Sequence, residues 1–137
     1  MNKKILFVVN SIDFFISHRL GIAQKASNSG YEVHIIAGEI KNNSNKDIKK
    51  FFLHDLSFRS KNYNIFYIIK NIIKLILLIH TIKPDITHII TLKPIILCGL
   101  VLKIFNYTNV VISFSGLGYL FINKSLFAKF VSKMILK

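Results

Sequence analysis

Residues 63–85 read YNIFYIIKNIIKLILLIHTIKPD, and the fold turns on whether this run crosses a membrane or covers a sheet. On a helical wheel Tyr63, Tyr67, Lys70, Lys74 and Thr81 fall on one narrow stripe, with Ile65, Ile68, Ile69, Ile72, Ile73, Ile76 and Ile79 around the rest. Two lysines near the middle of a span would each cost about 2.5–3.5 kcal/mol. The pattern therefore predicts a helix packed on a sheet, with a basic outer stripe, ended by Pro84 and Asp85.

The segments on either side read as strands and helices in alternation. Residues 4–9 form an unbroken apolar run of strand length, as in a strand buried on both faces of a parallel sheet. The N-terminus, MNKKILFVVNSIDFF, opens like a signal peptide, but Asn10, Ser11 and Asp13 break the run and no small-residue cleavage site follows. Residues 10–16 read as a loop, and Ser17 as the N-cap of a helix over 17–28, with Leu20, Ala23 and Ala26 at helical spacing and Gly30 just beyond. Residues 31–37 and 51–56 give the second and third strands around a polar loop at 38–50. Beyond the long helix, 86–90 is a fourth strand leading into TLKP, whose Pro94 suits the first turn of a helix to about residue 105, and 110–114 is the fifth strand. KSLFAKFVSKMILK then spaces Leu126, Phe127, Phe130, Val131, Met134 and Ile135 as an amphipathic helix. Such alternation predicts one α/β domain over residues 1–137, a Rossmann-like doubly wound parallel sheet with right-handed crossovers.

Composition narrows the partners. With 52% hydrophobic and 18% charged residues, the chain is too apolar to be disordered. Nineteen Lys and Arg against six Asp and Glu give a net charge of +13, which should attract an anionic partner: nucleic acid, phosphorylated metabolites or acidic lipid. Nucleic acid would ask for basic residues interleaved with stacking aromatics on one face, whereas these lysines are scattered, so no nucleic-acid partner is expected. Lys70 and Lys74 instead suggest peripheral attachment to an anionic membrane, by binding that fades as salt rises. The single Cys98 lies in an apolar helical run and reads as a small buried hydrophobe. Five histidines without metal-ligand spacing leave no metal site to expect.

Ligands of doubly wound sheets bind outside the carboxyl ends of the strands, near the point where strand order reverses. Three constellations fall there. NSIDFFISHRL brings Asn10, Ser11, Asp13, His18 and Arg19 to the first strand-to-helix junction, where free backbone N–H groups and the helix dipole favour an anion. His18 could serve as a base or hydrogen-bond a sugar hydroxyl, and Arg19 could pair with phosphate; the plainer alternative is two solvated residues behind a Ser17 cap. Thr91 and Lys93 stand at the end of the fourth strand, where the ammonium could reach a diphosphate or simply be a surface lysine. In SFSGLGYLF, Gly116 and Gly118 permit positive φ or close backbone approach and Tyr119 adds a ring with a polar tip, which fits a ligand-facing loop or a strained turn. The dinucleotide fingerprint G-x-G-x-x-G is missing from the first junction. No carboxylate pair is placed for glycoside hydrolysis, and there is no Ser-His-Asp signal.

With these motifs in place, KILFVVN, FFISHRL with the following G-Y-E-V, KPDITHIITLKP and SGLGYLF resemble the N-terminal domain of a family-four GT-B glycosyltransferase. The similarity is to the bacterial branch that extends lipid-linked glycans for capsule, O-antigen or related surface polysaccharide. The resemblance covers essentially the whole chain and implies a retaining, metal-independent transfer between two Rossmann-like domains. The N-terminal domain of such an enzyme holds mainly a polyprenyl-diphosphate-linked acceptor, and the C-terminal domain most of the nucleotide-sugar donor. It implies that His18 and Arg19 contact acceptor hydroxyls or phosphate, that Lys93 counters anionic charge, and that residues 116–119 shape the cleft. No cofactor beyond the nucleotide sugar is expected. Since the donor domain lies outside these residues, the isolated chain is expected to catalyse no transfer, and a separate donor-domain chain is a possible partner. A non-catalytic docking or partner-binding subunit, and an inactive fragment of a truncated gene, are the alternatives. The expected location is the cytoplasm, peripheral on the inner face of the cell membrane.

Overall fold

In the computed structural model, which describes residues 3–56, 58, 65–107 and 109–114, strand β1 (Lys4–Ser11) runs through the middle of the molecule. Its central residues Leu6, Phe7, Val8 and Val9 are fully buried because both faces of the strand are covered, which is why the run is continuously apolar. Strands β2 (Glu32–Gly38), β3 (Phe52–Asp55), β4 (Ile86–Ile90) and β5 (Val110–Ser113) complete a parallel sheet of order β3-β2-β1-β4-β5. The α/β Rossmann-like expectation is met.

Alternation along the strands sorts the core into two layers. Phe7, Val9, Ile35, Ala37 and Ile90 pack under helices α1 (Ile12–His18) and α2 (Leu20–Asn28), which contribute Ile12, Phe15 and Ala23. Leu6, Val8, Ile36 and Ile89 face α3 (Ile65–Ile82) and α4 (Leu92–Ile104), which contribute Leu75, Ile79, Ile82, Ile95, Cys98, Val101 and Leu102. Burial of the Cys98 thiol pushes it up to about 12, so it is an inert core group. The chain moves outward from β1 to β2 and β3, then returns across the sheet to β4 and β5, so the order reverses between β1 and β4. The crevice above those two strand ends is where this topology accommodates a ligand.

The first junction departs from the sequence reading. Residues 10–16 are not a loop: β1 continues to Ser11, which pairs with Gly38 after an irregularity in register, and α1 begins at Ile12. Ser11, not Ser17, is the N-cap; its extended backbone and its Oγ, which accepts from the Phe14 amide, start the helix. Ser17 instead lies inside α1, its hydroxyl within hydrogen-bond reach of the Asp13 and Phe14 carbonyls. The expected helix over 17–28 is therefore two helices, broken at Arg19. The end of α2 is as read: Gly30 takes φ +87° and donates to Ser27 while Tyr31 donates to Ala26, a Schellman closure that a residue with a Cβ would strain.

A second correction concerns the outward face of α3. Lys70 and Lys74 are exposed as expected, but they share that face with Phe66, Ile69, Ile73 and Leu77, so the stripe is apolar and basic together. Lys74 is also engaged, donating from Nζ to the Asp55 carbonyl at the end of β3 (2.7 Å). No helix among the described residues is long and apolar enough to cross a membrane. Tyr63 and the helix expected over 124–137 lie outside the described residues.

Candidate functional site

The carboxyl end of β1 delivers Asn10 and Ser11 to the reversal point, and the cap made by Ser11 turns the chain straight into α1. Asn10 Oδ1 is buried there without a hydrogen-bond partner among the described residues. Asp13, in the first turn, accepts from Asn43 Nδ2 (2.7 Å), which ties the loop after β2 to this junction. At the other end of α1 the ring of His18 stacks on Phe14 (centroids 4.3 Å, planes 9° apart). Its Nδ1 lies 3.2 Å from the Phe14 carbonyl, which can only accept, and 2.7 Å from Ser17 Oγ. The carbonyl accepts, so when Nδ1 donates to it Nε2 is left as the acceptor.

Arg19 occupies the break between α1 and α2 (φ −130°, ψ −10°). It donates through Nη1 to the His18 carbonyl (3.3 Å), while its Nε is buried with no partner among the described residues. Among those residues no side chain caps α2 and no carboxylate lies within ion-pair distance of Arg19. Unpartnered buried polar atoms are uncommon in folded proteins. This short segment has two of them, one acceptor and one donor.

Beside it, β4 ends on Thr91 at φ 72° and ψ 152°, a region essentially restricted to glycine and costing about 1–3 kcal/mol for a β-branched residue. The Thr91 hydroxyl turns back onto the Ile90 carbonyl and does not cap α4. Lys93 is exposed in the first turn of α4, where the helix dipole disfavours a cation and no acidic residue offsets it. Pro94 in that turn is as expected and buried.

Under this rim lies His88, which the sequence analysis carried only within the stretch KPDITHIITLKP. It is buried in β4, tilted against Phe7 (5.4 Å), and its Nε2 is 2.7 Å from Ser113 Oγ at the end of β5. Burial above all, and then the charge of Arg19, pull its pKa below the ordinary value of 6.5. The half-buried His54, whose Nε2 is 3.1 Å from His34 Nδ1, is pulled down likewise, first by burial and then by His34 and Lys74. A histidine with a depressed pKa binds its proton more tightly in the unfolded chain. Its contribution is complete above pH 6.5 and is lost as pH falls through 6.5 toward the folded value. The thermal midpoint should hold from pH 8 to 7 and decline between pH 6.5 and 5, with a shallower decline in His88→Gln. An unchanged profile in that variant would show that His88 does not contribute.

The structure thus places Asn10 before the start of α1 and His18 and Arg19 at its far end, with Thr91 and Lys93 just beyond the adjoining strand β4. Gly116, Gly118 and Tyr119 lie outside the described residues. Among the described residues no cluster of three or more His, Cys, Asp or Glu is placed to hold a metal ion.

Comparison with known proteins bears on the family and the fold. A family model described as glycosyl transferase 4-like matches residues 4–137. No curated protein matches the chain. Among solved structures, MurG from Acinetobacter baumannii superposes with a TM-score of 0.65 at 16% identity over 82% of this chain. The match takes in 35% of MurG, so the chain spans about a third of that protein's length. The C-terminal domain of a hydrogenase from Pyrococcus furiosus matches with a TM-score of 0.52 at 12% identity, over 82% of this chain and 91% of that domain. At such identities the superpositions speak for the shared α/β fold.

Proposed function

The chain belongs to the glycosyl transferase 4-like family, and on that premise we propose that it is the acceptor-side domain of a glycosyltransferase. The enzyme would move a sugar from a nucleotide-sugar donor to a polyprenyl-diphosphate-linked glycan in surface polysaccharide synthesis, at the inner face of the cell membrane. The observation that carries this reading is the pair of buried atoms Asn10 Oδ1 and Arg19 Nε, one before and one after α1, which have no hydrogen-bond partner among the described residues. A saccharide diphosphate supplies partners for both side chains: a sugar hydroxyl for the Asn10 amide, and a phosphate oxygen for the Arg19 guanidinium. Lys93, poorly placed for its own helix, adds charge toward the same anion. His18 Nε2 can accept the proton or hydrogen bond of an acceptor hydroxyl. Stabilising the departing nucleotide diphosphate falls to the donor domain, on this chain or a separate one.

The test is calorimetric titration of the chain with a short, water-soluble prenyl-diphosphate disaccharide and, separately, with UDP and GDP sugars. The prenyl-linked ligand should bind at least tenfold more tightly than any nucleotide sugar. Binding of a nucleotide sugar alone, with no affinity for the prenyl-linked glycan, would assign the crevice to the donor and overturn the reading.

A further inference from the structure

The outward face of α3 is not built for water. Phe66, Ile69, Ile73 and Leu77 recur at spacings of three, four and four and form one stripe; they are 77%, 46%, 53% and 61% exposed. His80, one turn on, meets Phe105 edge-on at 4.9 Å, which carries the stripe to the end of α4 and the exposed Ile104. Lys70 flanks the stripe on α3, and Lys103 lies next to Ile104 on α4; both are exposed. We propose that this ridge lies in the plane of an anionic bilayer, its apolar side chains at the boundary between headgroups and acyl chains and its lysines among the lipid phosphates.

Charge decides between the occupants such a face could take. A second copy of the chain would bring a net charge of +13 against another +13, which opposes association. An anionic bilayer complements that charge and also solvates the apolar ridge. The inference rests on the lipid-linked acceptor reading only in so far as that acceptor resides in the same bilayer. It departs from a purely electrostatic attachment in one respect: burying side chains of this size contributes more than a screened surface lysine, so part of the binding survives salt.

The chain contains no tryptophan, so Phe66→Trp supplies the only indole for a test of depth. In co-sedimentation with the full chain, vesicles of neutral phosphatidylcholine are compared with vesicles containing a third phosphatidylglycerol, at low and high salt. Anionic vesicles should bind at least tenfold better at low salt, and a bound fraction should persist at high salt. Phe66→Glu with Leu77→Glu should weaken partitioning at least tenfold in both salts with the thermal midpoint unchanged. Lys70→Gln should weaken it about fivefold, and only in low salt. The indole of Phe66→Trp should shift to the blue and be quenched by lipids brominated on the acyl chain. No loss on the double substitution, or no quenching, overturns the proposal; so does a concentration-dependent dimer that the double substitution abolishes. Failure here with intact binding of the soluble prenyl-diphosphate glycan removes the docking face alone, whereas the reverse result removes the acceptor reading alone.

Discussion

Phe7→Ala should cost the fold about 3–5 kcal/mol, a large share of the roughly 5–15 kcal/mol that holds a domain of this kind together. Phe7 is fully buried on the central strand, opposite Ile35 on β2 and His88 on β4. Its ring meets Phe15 edge-on at 5.5 Å and His88 at 5.4 Å, so it joins α1, β1 and β4 in one contact set beneath the crevice. Truncation leaves a cavity walled by strands that are hydrogen-bonded on both sides and cannot close inward. Urea unfolding followed by circular dichroism should show the loss as a lowered midpoint, and Phe7→Leu, which refills most of the volume, should cost about 1–1.5 kcal/mol. Leu77→Ala is the control, since Leu77 is 61% exposed and should contribute far less. If Phe7→Ala and Leu77→Ala cost the same, the burial argument for this core is wrong.

What could be read from the chain beforehand depended on whether local pattern or tertiary context set the outcome. Residues 86–90 were legible as a strand to the residue, because a short run rich in β-branched residues is bounded by Pro84 and Asp85 on one side and by TLKP on the other. The start of α1 was not legible, although Ile12, Phe15 and Ile16 keep helical spacing. The aromatic pair Phe14 and Phe15 reads poorly as helix, and two serines compete for the cap; what selects Ser11 is that its extended backbone is already fixed by pairing with β2. On α3 the wheel located the lysines but not the buried side. Isoleucine and leucine surround the helix, and only the docking of Leu75, Ile79 and Ile82 on the sheet decides which of them are left exposed. The candidate site was legible as residue types at strand ends. The strain at Thr91 and the missing partners of Asn10 and Arg19 are properties of three-dimensional placement, with no trace in local sequence.

Arg19→Ala should separate function from folding at this site. A cation whose Nε is buried without a partner, with no carboxylate within ion-pair distance among the described residues, contributes little to the fold that holds it. Its removal frees the His18 carbonyl to water and relieves the orphaned donor, at the loss of some packing by the side-chain stem. Stability should therefore change by no more than about 0.5 kcal/mol. Binding of the prenyl-diphosphate glycan should fall about 10- to 150-fold, the worth of a charge-assisted hydrogen bond of about 1.5–3 kcal/mol. Arg19→Lys keeps the charge but not the planar fork and should recover only part of the affinity, whereas a residue acting through net charge alone would be rescued fully. Calorimetry and thermal melts on the same three proteins decide the matter. A loss of about 2 kcal/mol in stability with unchanged affinity would make Arg19 a structural hinge between α1 and α2, and the buried donor would then owe its place to the helix break rather than to a ligand.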